Sequence, residues 1–272
     1  MPFAKAVSVL ALFMAGEMGS IPFAPFLALP FTALIKPLTA NRVAERVLAV
    51  LFIPCAAVTG IFTVIRFAEL TGFMSLPKTP VWLIAGVTAA VALFLAAGGP
   101  EGLGRWAAFT LPFVIGFVAL AALLLTGKLQ YGGFCIPRVW EQNPIIYTCE
   151  AITLLEIMPA LRYKEKPFLA FLAALAVSCG LGAAVWVIGN LTLGAELFKA
   201  SRYPFYTALR VAKGGEVIGR IEALLLPVSL CVTVMKAALC TAVIVSGVKA
   251  YRPRSSTTAS NVRFPEPSVP ET

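Results

Sequence analysis

A chain of 272 residues that is 59% hydrophobic and 13% charged holds more apolar surface than a soluble domain of its size can bury, which excludes an ordinary soluble fold. Its net charge of +9 comes from 22 Lys and Arg placed mostly between long apolar runs, where they anchor spans in a lipid bilayer and no nucleic-acid partner is expected. There is no histidine and all 13 acidic residues are glutamate, so most hydrolytic and metal chemistries lack their side chains; neither an enzyme nor a cofactor or metal site is expected.

The first apolar run, Ala6 to Ile35, is broken only by Glu17. It is too long for one straight span and barely enough for two short ones. Lys5 and the apolar residues after it also suit a signal peptide, but the run continues past Glu17 without a small-residue cleavage site. Further spans are predicted at about Val47–Ile65, Pro80–Gly98, Trp106–Thr126, Ile145–Leu161, Phe168–Asn190 and Ile221–Val248. Residues 1–250 thus read as one transmembrane domain, and 251–272, polar and proline-rich, as a disordered tail. With two spans in the first run, Lys and Arg are more numerous on the side holding the N-terminus, loops 36–46, 99–105 and 162–167, and the tail. That side is expected to be cytoplasmic. The six cysteines form no CxxC pair, and all but Cys135 lie in apolar runs, where they read as small core residues.

Ionisable groups inside apolar runs are expensive, about 2.5–3.5 kcal/mol each at the bilayer centre on insertion scales. Glu17 stands between Gly16 and Gly19, with Pro22 just beyond. Two readings stay open: a helix broken at mid-membrane, exposing backbone groups to a small ligand, or an interfacial turn with a solvated Glu17. Glu150 and Glu156 are six residues apart, about 120° around a regular helix, so they do not share a face. Glu156 can pair with Arg162 at a membrane edge; Glu150 is either intramembrane or interfacial. Lys236 lies about fifteen residues into the last span. It either snorkels toward the Lys249 end or needs a carboxylate, for which Glu17 and Glu150 are the candidates. The stretch SRYPFYTALRVAKGGEVIG before Arg220-Ile221-Glu222 reads as an amphipathic element lying on the membrane surface.

Four segments together resemble the spore-germination permease family, the B subunits of germinant receptors, within the amino acid–polyamine–organocation superfamily. SRYPFYTALRVAKGGEVIGRIEAL carries Tyr203, Pro204, Arg210, Gly215, Arg220 and Glu222 at matching positions, with Lys236 beyond. LPKTP (Leu76, Pro77, Thr79, Pro80) resembles the opening of the family's fourth helix. GPEGLGR, with Gly99, Glu101 and Arg105, resembles the segment before the fifth, and IPRVW around Pro137 fits the loop before the sixth. The resemblance covers about residues 5–250.

It implies an all-α polytopic bundle of about eight transmembrane helices, a truncated form of the inverted-repeat amino-acid-transporter fold, with broken first and sixth helices. The residues end after what corresponds to helix eight, leaving helices nine and ten without counterparts, and the family's eighth-helix tryptophan is replaced within LPVSLCV. On this mapping Gly16, Glu17, Gly19 and Glu150 contact a small nutrient such as an amino acid. Lys236, Arg220, Glu222, Glu101 and Arg105 are structural or coupling residues. The implied function is ligand sensing in the inner spore or cell membrane, signalled to partner receptor subunits. The alternatives are a proton-coupled amino-acid transporter and a shortened, vestigial subunit.

Overall fold

A computed structural model of the chain describes residues 3–15, 42–75, 78–126, 149–150, 152–154, 157, 167–201, 203–211 and 222–251. Among these residues regular structure is helical throughout: α1 (Phe3–Ala15), α2 (Arg42–Met74), α3 (Val81–Ala97), α4 (Gly99–Leu125), α5 (Pro167–Ala200), α6 (Pro204–Val211) and α7 (Glu222–Tyr251). Among the described residues four helices are long and apolar enough to cross a membrane: Phe52–Met74 of α2, all of α4, Leu169–Ala200 of α5 and Ala223–Val248 of α7. The chain is a helical membrane protein.

Burial sorts the helices into inner and outer ones. In α1 five successive residues, Val9 to Phe13, are wholly buried. A helix turns only 100° per residue, so this requires protein on every side; α5, α4 and α7 surround it. α7 is the other inner helix, with 61% of its most apolar stretch buried against 28–39% in the other three long helices. Its main neighbour is α2, and the two backbones come close where Gly60 faces Cys240; a Cβ on Gly60 would lie 3.2 Å from that of Cys240. Small residues at a helix crossing allow this approach, the usual device where lipid supplies no hydrophobic drive between helices. The outer faces carry Trp82, Phe94 and Phe109, each more than 70% exposed, as a lipid-facing surface should. Buried hydroxyls such as those of Ser8, Thr63, Thr88 and Thr192 donate to the carbonyl four residues back, which settles them without water.

Packing also orders the helix ends. Phe67 and Ala68 near the end of α2 cluster with Ile84 at the start of α3, and Leu226 at the start of α7 packs against them. At this same end Phe73 packs against Tyr203, tilted, and Tyr206, edge-on, at 5.6 and 5.9 Å between ring centroids. The start of α1 meets the start of α5 at the opposite end, Ala6 against Ala170.

Several boundaries correct the sequence reading. Residues 99–105 are not a loop: only Gly98 and Gly99 (φ 70°) turn the chain, and Glu101 to Arg105 already belong to α4. α2 runs on through Arg66 and Glu69 to Met74, nine residues past its expected end, with the Arg66 guanidinium 4.8 Å from the Phe62 ring. α5 exceeds its expected span but is interrupted at Gly194 (φ 72°, ψ 164°), beyond which Phe198 folds back onto Gly189. The amphipathic element is real but does not rest its apolar face on lipid. α6 buries Phe205, Tyr206, Ala208 and Leu209 against the bundle, with Phe205 edge-on to Phe117, and leaves Arg210 exposed. The expected turn or break around Glu17, the tail and most of Ile145–Leu161 lie outside the described residues.

Candidate functional site

The charge on Lys236 is generated about 21 Å along α7 from Glu222, mid-way through a helix whose surroundings are apolar. Its side chain does not snorkel. Lys236 is 4% exposed, and its Nζ donates to Glu150 Oε1 at 2.5 Å. Glu150 is delivered by the short stretch in which Cys149, Glu150 and 152–154 are helical, held by the Thr153 hydroxyl donating to the Cys149 carbonyl and anchored by buried Leu154 and Ile157. The carboxylate side chain keeps 17% of its surface accessible, which makes it the more open member of the pair. Of the two carboxylates that could answer Lys236, the one in contact with it is Glu150.

Residues of two further elements, α1 and α2, and one more of α7 lie around the pair. The Phe13 ring, near the end of α1, lies 5.5 Å from Nζ, within cation–π range. Cys240, one turn beyond Lys236 on α7, is close enough to interact with both charges. Cys149, the residue before Glu150, interacts with Cys55 on α2. One salt bridge thus links α7 to the 149–157 stretch at the point where α1 and α2 also meet them. Alone, either charge would be a buried ion without compensation; together they are neutral and mutually satisfied.

The other expected site residues fall elsewhere. Glu101 and Arg105 form an exposed i,i+4 pair at 3.9 Å at the start of α4, away from the buried pair and worth only about 0.3–0.5 kcal/mol. Glu222 is the first residue of α7. Gly16, Glu17, Gly19 and Arg220, with the expected Glu156–Arg162 pair, lie outside the described residues. Phe13, Cys55, Cys149 and Cys240 were not anticipated as neighbours of the charges. The spacing of Cys240 four residues after Lys236 was a legible signal; the others come together only through tertiary packing.

The arrangement is a helical membrane protein in which, among the described residues, one ion pair joins two helical segments at mid-length of α7, its carboxylate the more open member. No family model matches the chain, and neither do curated proteins or solved structures.

Proposed function

We propose that this chain is the permease-like membrane subunit of a spore germinant receptor and that it senses an amino acid at the Glu150–Lys236 pair. The reading rests on the four motif resemblances and on one observation of geometry, the buried carboxylate–ammonium contact at 2.5 Å between α7 and the 149–157 stretch. A free amino acid carries the same two charges. Its ammonium can take the place of Lys236 against Glu150, and its carboxylate the place of Glu150 against Lys236, so the pair opens without leaving an uncompensated buried charge.

Opening the pair frees α7 from the 149–157 stretch. The ligand stabilises that arrangement and shifts a pre-existing equilibrium, which the partner subunits read. Moving such an equilibrium from 1:99 to 99:1 takes about 5.5 kcal/mol of differential affinity, within reach of two charge-assisted contacts made in one state only. The chain would lie in the inner spore membrane with both termini cytoplasmic.

The test is dipicolinic acid release from spores carrying this chain, a Glu150→Gln version or no copy, challenged with a panel of amino acids while immunoblots monitor protein level. Loss of the response to one amino acid on deletion, with a shifted dose–response for Glu150→Gln, supports the sensor. An unchanged response in both strains, together with pH-driven amino-acid uptake into vesicles holding the protein, replaces it with a transporter.

A further inference from the structure

The Lys236 ammonium faces two partners of different kinds. Glu150 offers a carboxylate oxygen at 2.5 Å, and Phe13 of α1 offers a ring, with Nζ over it at 5.5 Å from the centroid. The ring is fully buried and held in place by packing, since the residues before it in α1, Val9 to Leu12, are fully buried as well. A leucine or methionine would fill that core position with similar volume; only an aromatic ring adds a negative face that attracts a cation. The attraction is strongest where water is displaced, and Lys236 is itself buried. Phe205, comparably buried, meets another ring instead, edge-on to Phe117.

We infer that Phe13 is a positioning residue of the ion pair: its ring holds the Lys236 ammonium against Glu150 and thereby sets how readily the pair opens. Glu150 is the more accessible member, so an incoming ammonium meets the carboxylate first and has to draw it away from a lysine that the ring retains. The closed arrangement thus carries two contributions, a charge-assisted hydrogen bond and a cation–π contact. Both are given up when Lys236 swings to a ligand carboxylate. Weakening the ring's share raises the open population without removing a charge. Between the exposed and the desolvated limits, such a contact is worth roughly tenfold in that equilibrium. The hold on Lys236 stands on the geometry of the pair; its control of ligand sensitivity rests on the sensing role proposed above.

The experiment replaces Phe13 in the full-length chain by mono-, di- and trifluorophenylalanine, which draw charge off the ring face stepwise with little change of shape. The same series at Phe205 controls for packing. The first readout is the rate at which a membrane-permeant carbodiimide labels Glu150 in ligand-free membranes. It should rise with each fluorine at Phe13, to roughly tenfold for the trifluoro ring, and stay unchanged across the Phe205 series. The second is the amino-acid concentration giving half-maximal thermal stabilisation, which should fall by the same factor. Labelling that is flat across the Phe13 series, or that rises equally in the Phe205 series, overturns the inference. Faster labelling with an unchanged half-maximal concentration overturns the ring's control of sensitivity. Labelling that rises only at Phe13 while no amino acid stabilises any member upholds the ring's hold on Lys236 and overturns the sensing role instead.

Discussion

Lys236 and Glu150 show how a pair of charges behaves where one is enclosed and the other only partly open. Removing one partner by Lys236→Met leaves the carboxylate buried and unpaired, and should cost about 3–5 kcal/mol. Combining it with Glu150→Leu removes both charges and should recover most of that loss. Thermal denaturation of the two variants and the Glu150→Leu single in detergent, closed as a double-mutant cycle, reads the difference. A second residue-scale test concerns Gly189. A Cβ there would stand 2.8 Å from the Phe198 ring, closer than any real contact. Gly189→Ala should destabilise by roughly 1–3 kcal/mol, and Phe198→Leu in the same chain should return part of it. At this scale the sequence was informative in proportion to cost. Charges inside apolar runs stood out because lipid penalises them, and Glu150 was already one of two carboxylates that could answer Lys236. Phe13 and the thiols did not stand out, because aromatic and small apolar residues in a membrane span carry no sign of which neighbour they meet.

At the level of elements, charged residues misled. Arg66 and Glu69 follow the predicted span Val47–Ile65, and Glu101 and Arg105 lie in the expected loop 99–105, yet all four are helical. Hydropathy marks where a helix leaves the hydrocarbon, whereas the backbone ladder continues through the interface until a glycine or proline stops it. Gly98–Gly99 stop it in one place and Gly194 in another. Gly194 holds φ 72° and ψ 164°, a region essentially closed to residues with a Cβ. Gly194→Ala should therefore cost about 1–3 kcal/mol or straighten the helix, lifting Phe198 from Gly189. Raised accessibility of a cysteine placed at Phe198, compared in the two backgrounds by maleimide labelling, distinguishes straightening from simple strain. The apolar stripe of α6 was visible in SRYPFYTALR, but a stripe fits protein as well as lipid, and only the neighbouring Phe117 and Phe73 decide between them.

For the whole molecule, composition sufficed to establish a helical membrane protein, because 59% hydrophobic residues in long runs admit no other solvent. The arrangement of α1 and α7 as inner helices was not legible, since both are as apolar as the helices around them; what separates them is burial on every side. The outward surface makes its own prediction. Phe109 is 73% exposed in the middle part of α4. Phe109→Arg should disfavour membrane insertion by about 2.5–3.5 kcal/mol while the same change at the helix start should be neutral. A glycosylation-based insertion assay on α4 measures this directly.

The central claim, that a zwitterion meets the protein at Glu150 and Lys236, is tested most directly by ligand-induced thermal stabilisation of the purified protein across a panel of amino acids. The comparison is with the charge-free Lys236→Met, Glu150→Leu variant, used once its own thermal denaturation has shown it folded. An amino acid at a hundred times its Kd should stabilise the wild type by about 2.7 kcal/mol and leave the variant unmoved. Equal stabilisation of both proteins, or of neither by any amino acid, would contradict the claim.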